Sequence, residues 1–571
     1  PTYPAQSTDV SYSADGFYAT PTPGEVNGSA ASGGVLKNKV TFVTPGGLFF
    51  GGTVSLVLTH PDGAATIRYT TDGSTPDESS TAYAGPLSIT STTQVQAGVF
   101  RADYVSGPIS QEGYLFANSS LSTFDSDLPI LVIDTFNETL ERNDSTFKDA
   151  VYTAFEPAVG TGRVALSDVP SLNGLSGMHV RGESSQLGGF NKLNFAFETR
   201  DSEREDKDVP LFGMPGGSDW ALHASEIDRT FIREQLPHRL FREIGRYSPR
   251  TRPVEVFLNQ GGGEITEDDY RGVYLVVERI RRGNDRVDIS KLEPTENTGS
   301  DVTGGFIFKK DKSDPGDVRI STPNEGNFTI VYPNEDSVTT AQKDYLQDYL
   351  RDFETALDSP TFTDPLTGYA AYIDVPSWID MHIIQELTKE VDSYVFSTFY
   401  HKDKDGKIVN GPLWDFDRSF GNTQASGEED PEGWRGGPIG GRGAFWERLF
   451  EDPDFMQLYI DRWQELMETT LAEPFVNTII DEMAAEVDEA KDRNFAPTGP
   501  WPLANVTRSH LTFPTYDQHV DYLRDWIGDR LDWVATEFTA KPNFSTPPGE
   551  YGGPFNLSLV TSGGTIYYTT D

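Results

Sequence analysis

Gly411-Pro-Leu-Trp-Asp-Phe-Asp-Arg-Ser-Phe-Gly-Asn422 is the stretch on which the reading of this chain turns. An apolar run leads into Asp415 and Asp417, which flank Phe416, and Gly421 closes the turn. The lead-in predicts a buried strand end, where unpaired carboxylates are costly. Either nearby cations compensate them or a metal does. Paired hard carboxylates with no His or Cys beside them suit Mg²⁺ or Ca²⁺ rather than zinc.

Working outward, K-E-V-D-S-Y-V-F-S-T-F-Y places Asp392 at the end of a helical run. F-S-T-F-Y-H-K and I-V-N-G-P-L-W then read as the two strands of a hairpin closed by Asp403-Lys-Asp-Gly406. Such a hairpin brings Asp392 and Asp415 near each other. A further group is M-H-V-R-G-E-S-S-Q-L-G-G-F-N-K, with Arg181 and Lys192 around a Gly/Ser-rich turn and able to receive phosphate oxygens. The last is I-D-R-T-F-I-R, with Arg233 on a helix predicted over 230–244, and R-G-V-Y-L-V-V-E-R, with Glu278 on a strand. Taken singly, each has a structural reading. Arg181 and Lys192 are cations among many acids, Glu278 an ion-pair partner, Asp392 a helix cap.

The whole chain bounds the answer. At 571 residues it exceeds one ordinary core. Its charge, 46 − 88 = −42, disfavours nucleic acid, whose phosphates most of the surface would repel. With no cysteine there is no disulfide, thiolate nucleophile or Cys-ligated metal; an oxidising exterior is compatible with that. No stretch approaches the roughly 20 apolar residues that span a bilayer. No positively charged segment with an apolar core opens the sequence, so any signal peptide is expected to have been removed already.

Residues 1–33 are Ser, Thr, Pro and Gly rich and read as an arm or linker. Residues 34–118 alternate in short runs separated by turn signals, the pattern of a small antiparallel β-sandwich. Residues 119–540 form the main body, an α+β plan with a strand-rich lobe to about 335 and a helix-rich lobe after it. Residues 541–571 begin a repeat: Gly564-Thr-Ile-Tyr-Tyr-Thr-Thr-Asp571 echoes Ala65-Thr-Ile-Arg-Tyr-Thr-Thr-Asp72. The copy stops a third of the way through, so open strand edges able to pair with another chain are expected there.

I-R-Y-T-T-D-G-S-T-P resembles the small β-sandwich appended to chitobiases and β-hexosaminidases. That resemblance implies an accessory module, with a rigid spacer the favoured role. R-G-E-S-S…N-K, A-S-E-I-D-R-T-F-I-R, Y-R-G-V-Y-L-V-V-E-R-I and G-P-L-W-D-F-D-R-S-F-G-N, in this order, resemble the CotH kinase family. The resemblance implies an atypical protein-kinase-like fold that binds ATP with Mg²⁺ and phosphorylates Ser or Thr of a partner protein. By motif position it makes Asp392 and Asp415 catalytic, Asp415 and Asp417 metal ligands, and Arg181, Lys192, Arg233 and Glu278 cofactor-binding. Asp417 is either a second ligand or the acceptor for Arg418 or Arg233. Many members carry Asn five residues after the first aspartate, where this chain has Ser397. An extracellular or cell-surface setting is expected from the sandwich modules. Two other readings stay open: a non-catalytic structural or adhesive protein on a kinase-like body, and an adhesin with Ca²⁺ at D-F-D.

Overall fold

The computed structural model describes residues 11–13, 16–18, 30, 33–186, 189–313, 316–423, 427–435, 439–440, 443–503, 511–561 and 563–570. Most of the N-terminal arm lies outside them; Ser11–Ser13 and Gly16–Tyr18 within it form an antiparallel pair. The chain divides into two compact units: Pro1–Glu226 with Arg250–Arg279 and Ala485–Arg508, and Ile227–Pro249 with Ile280–Ala484 and Ser509–Asp571. Among the described residues no helix is long and apolar enough to cross a membrane.

The first unit opens with the β-sandwich module. Its larger sheet runs in the order Gly47–Phe50, Ser110–Ala117, Thr93–Phe100, Thr66–Thr70, Thr81–Ala82. Val54–Leu56 pairs with Leu87–Ile89, and Thr41–Phe42 with Leu58–Thr59. Leu56, Val95, Ala97, Val99 and Tyr114 close a shared core. Alternation along these strands puts every second side chain on that core, which is why the short-period pattern was readable.

The module passes into a closed seven-stranded barrel without a free linker. Ser110–Ala117 runs straight to the barrel, where Asn118 N donates to Ile265 O and Ile265 N to Phe116 O, both at 2.8 Å. Leu115 and Ala117 share a cluster with Ile130, Val132 and Phe257 of the barrel. Around the barrel the strands are Ile130–Asp134, Lys148–Phe155, Leu172–Arg181, Asn194–Arg200, Asp219–His223, Tyr270–Glu278 and Thr251–Asn259. All neighbours are antiparallel except the closing pair, Ile130–Asp134 beside Thr251–Asn259. Met178, Phe197, Trp220, Val254, Tyr274 and Val276 fill the interior.

The second unit carries a five-stranded antiparallel sheet in the order Arg319–Thr322, Gly326–Tyr332, Phe306–Lys310, Thr398–Lys402, Ile408–Asn410. Residues 306–332 thus share a sheet with the hairpin at 398–410 and fall in the second unit, although they precede 335. The partner of Phe306–Lys310 lies far along the sequence, and period-2 patterning carries no information about it.

Helices Thr340–Asp358, Val375–Thr388, Pro453–Met467 and Tyr516–Glu537 accompany this sheet. Val375–Thr388 is capped by Asp374, which accepts from Ser377 N, and buries nearly its whole circumference. A helix wrapped on all sides must partner each polar side chain it carries. Asp380 accepts from Arg246 and Arg462 at 2.8 Å each, and His382 Nδ1 meets the Tyr459 hydroxyl at 2.9 Å.

The predicted helix over 230–244 starts later, at Gln235–Glu243. The carboxylate of Asp228 takes the amides of Thr230 (3.0 Å) and Arg233 (2.8 Å), and Thr230 Oγ1 accepts from Ile232 N. That turn holds Phe231 at φ +60° and delays the helix. In the C-terminal repeat, Asn543–Phe544 pairs with Leu559–Val560, while residues 565–570 have no regular structure. Among the described residues the second copy shows this one strand pair, and Phe544 and Tyr567 are exposed.

Candidate functional site

The hairpin forms as its sequence requires. Thr398–Lys402 pairs with Ile408–Asn410 in the register Tyr400↔Asn410, His401↔Val409, Lys402↔Ile408. Helix Val375–Thr388 ends on Lys389 in the left-handed region (φ +44°), and residues 390–397 lead into the first strand. In this loop Tyr394 and Ser397 also have positive φ, +70° and +52°. Non-glycine residues in that region cost about 1–3 kcal/mol each and persist only where surroundings over-determine them. Asp392 sits at its centre, its carbonyl accepting from Val395 N (3.1 Å) and Phe396 N (2.9 Å).

Beyond the second strand the D-F-D stretch folds into a tight loop. Asp415 itself is left-handed (φ +68°) and exposed, so its carboxylate leaves the apolar lead-in rather than ending buried in a strand. Phe416 N donates to Glu234 Oε2 at 2.6 Å, Phe420 N to Thr388 O at 2.8 Å, and Asn422 Nδ2 to Ile227 O and Asp417 O at 3.1 Å each. Gly421 has φ +72°, and a Cβ there would lie 2.6–2.7 Å from Trp526 and the Tyr522 hydroxyl. The glycine of the motif is required by this close approach.

These loops gather carboxylates. Oxygens of Glu234 and Asp415 come within 4.8 Å of one another. Glu390, 3% exposed, lies beside both Asp392 and Asp415, and burial together with those two charges pushes its carboxyl well above the usual range. Asp392 N donates to the Glu390 carboxylate. A pocket of about 10 Å³ adjoins this group, lined among others by Gln385, Glu390, Ser393, Ser397, Trp414 and Phe416. That is room for about one water-sized occupant. Mutually repelling oxygens with no thiol among them fit a hard divalent cation, whose charge would relieve the crowding around Glu390.

The predicted site residues fall in both units. Arg233, Asp392, Asp415 and Asp417 belong to the second, and Asp392 and Asp415 converge on Glu390 there. Arg233 is fully buried and paired with Asp228 at 2.9 Å, while its Nε and Nη2 have no hydrogen-bond partner among the described residues. Arg181, Lys192 and Glu278 belong to the first unit. Arg181 ends its strand opposite Asn194 and is half-buried. Lys192 is buried: its ammonium donates to Val273 O and lies 4.4 Å from the Tyr274 ring centre and 5.9 Å from Trp501. Burial lowers its pKa to about 7 against the opposing charge of Glu226, which also accepts from Lys192 N at 2.9 Å. Glu278, wholly buried, takes two hydrogen bonds from the Arg250 guanidinium and one from its amide. Its ion-pair reading is thereby met, and any contact with a cofactor would compete with Arg250.

Four residues escaped the sequence reading: Glu226, Glu234, Glu390 and Arg435. Glu390 stands two places before Asp392, and Glu226 and Glu234 lie in or beside the I-D-R-T-F-I-R motif, so proximity to the motifs was the only signal. Arg435 acts through backbone carbonyls and gave none.

Comparison with known proteins bears on both parts of the chain. The family described as chitobiase/beta-hexosaminidase C-terminal domain matches residues 44–111, within the sandwich module. No curated protein matches the chain. The family described as CotH kinase protein matches residues 178–534, which contain every candidate site residue named above. That match spans more than half of the sequence and takes in the D-F-D loop, the Asp392 loop and the basic segment of the barrel. The chain is a kinase-like member of the CotH kinase protein family, preceded by a β-sandwich module.

Proposed function

We propose that the protein is a secreted or cell-surface protein kinase of the CotH type, which uses ATP with Mg²⁺ to phosphorylate Ser or Thr of a partner protein. The observation that carries this reading is the pair of loops at the two ends of the hairpin, where Asp392 N donates to buried Glu390 and the charges of Asp392 and Asp415 both raise its carboxyl. Two carboxylates on separate loops, held close by a hairpin, divide the work that phosphoryl transfer needs. Asp392 accepts the proton of the attacking hydroxyl as its oxygen bonds to the γ-phosphorus and the bond to the leaving nucleoside diphosphate breaks. Asp415, with Asp417 as a second ligand, would hold Mg²⁺, whose charge offsets that of the phosphates. Arg181 and Lys192 take the phosphate-binding part of the same reading. Burial lowers the pKa of Lys192 to about 7, and a phosphate beside it would favour its charged form. Ser397 lines the pocket beside Glu390 at the position of the family's Asn, as a weaker oxygen ligand.

The sandwich module, the absence of cysteine and the strongly acidic surface support an exterior setting. The test is calorimetric titration with ATP and Mg²⁺, then with ATP and Ca²⁺, on the wild type and Asp415→Ala. Magnesium-dependent binding lost in the variant supports the kinase reading. Binding with neither ion would make the body structural or adhesive.

A further inference from the structure

The chain between the D-F-D loop and helix Ala444–Leu449 includes Gly427-Glu-Glu-Asp-Pro-Glu-Gly-Trp-Arg435. Buried donors fasten this strap through its carbonyls. Lys389 Nζ donates to Gly427 O (3.3 Å), Asp430 O (2.7 Å) and Glu432 O (2.8 Å). Arg530 Nη1 donates to Pro431 O (2.8 Å) and Gly433 O (2.7 Å), and Trp526 Nε1 to Glu429 O (2.8 Å). Arg530 is itself fixed by Glu386 O and the Glu386 carboxylate.

At the end of the strap, Arg435 reaches the other way. Its Nε donates to Glu390 O at 2.5 Å, its Nη2 to Val391 O, and its Nη1 to the Glu428 carboxylate. Its backbone N donates to Glu386 Oε2 at 2.9 Å. The two carbonyls it grips belong to the residues immediately before Asp392. Between Lys389 and Ser397 no helix or strand orders the backbone; turn hydrogen bonds from Ser393, Val395 and Phe396 shape the loop locally, and the Arg435 clamp ties it to the strap. A guanidinium suits this, because its donors diverge in a rigid plane and each meets a different acceptor; an ammonium has no such fork.

We propose that Arg435 is a positioning residue for Asp392, carrying the order of the 427–435 strap into the loop that presents the proton acceptor. The proposal rests on the reading of Asp392 as that acceptor. Removing the fork takes a donor from each of the two carbonyls, leaving Glu390 O with the Ser393 amide at 3.2 Å, and Asp392 drifts while the metal and nucleotide ligands stay in place. A misplacement of about 1 Å is enough to cost on the order of 10²-fold in rate.

The test uses Arg435→Lys and Glu428→Gln in the full chain, with magnesium–ATP as the probe. Binding is measured by calorimetry, turnover by release of ADP, and order in the loop by amide hydrogen exchange over residues 391–397. Arg435→Lys is expected to bind magnesium–ATP within about threefold of wild type while turnover falls about 10²-fold. Exchange across 391–397 is expected to quicken. Glu428→Gln keeps the fork on both carbonyls and is expected to turn over within about threefold of wild type. Unchanged exchange in Arg435→Lys, a joint fall of binding and turnover, or an equal loss in Glu428→Gln would overturn the proposal. Should Arg435→Lys fail to fold, Glu428→Gln still decides between a fork and a charge network. A wild type that neither binds nor turns over magnesium–ATP overturns the kinase reading instead, and the exchange result then stands alone on whether Arg435 fixes the loop.

Discussion

Asp228→Ala strikes a buried carboxylate of the second unit that accepts four hydrogen bonds. Asp228 accepts from Thr230 N and Oγ1, from Arg233 N, and from Arg233 Nη1, and both side chains of the pair are 1% exposed. Among the described residues two guanidinium nitrogens of Arg233 already have no hydrogen-bond partner, so removing Asp228 strands a buried charge. Breaking such a pair from one side costs about 3–5 kcal/mol. The stranded amides of Thr230 and Arg233 add about 1 kcal/mol each. At roughly 2 °C per kcal/mol for a unit of this size, the midpoint falls by about 10 °C. Scanning calorimetry measures this, with sodium chloride raised from low ionic strength to about 1 M as a control, since a buried pair is little screened. Asp228→Ala combined with Arg233→Met removes the stranded charge and is expected to recover about 3 kcal/mol. The reasoning is refuted if the single variant costs under about 1 kcal/mol, or if the double variant is no better than the single.

Two further outcomes are expected. Lys192 titrates near 7 in the folded chain against an ordinary lysine value of 10.5, so between those values the unfolded chain binds more protons. Stability contributed by this site therefore rises with pH across that window, by up to about 1.4 kcal/mol per pH unit, and is flat below it. Lys192→Met should abolish the rise when urea midpoints at neutral and alkaline pH are compared, and equal slopes in the two proteins would sink the assignment. Gly421→Ala forces a Cβ against Trp526 and Tyr522 from a left-handed backbone, costing about 1–2 kcal/mol for the conformation alone. A melting temperature equal to wild type would show that the loop relaxes freely.

The parts of this chain that the sequence makes legible are those fixed by local pattern. Five of the seven barrel strands are legible because alternate residues face one core, while Lys148–Phe155 and Asp219–His223 are not, and the 398–410 hairpin is legible because a D-G turn sits between two such runs. The same pattern places Asp392 before the hairpin and Asp415 after it. What escaped depends on long-range partners. Phe306–Lys310 joins the hairpin's sheet, and nothing within its own residues says so. The helix predicted from Thr230 starts at Gln235 because one side-chain carboxylate outcompetes the helical ladder for the amides. Glu390 is a site residue through the charges that surround it, and Arg435 through carbonyls forty-odd positions upstream. Neither kind of role leaves a mark in a residue's own neighbourhood.

The junction between sandwich and barrel bears on how the molecule carries load. Since Ser110–Ala117 continues into the bonds at Ile265 and into a cluster with Ile130, Val132 and Phe257, the two share structure where a tether would otherwise be. Gly113 reinforces this, its missing side chain letting Val151 of the barrel approach where a Cβ would stand 2.4 Å from it. Tension applied to the sandwich cannot be absorbed by uncoiling a linker, nor can the module swivel. A pull there is felt as shear along the barrel wall, and whatever anchors the sandwich also fixes the direction in which the barrel faces.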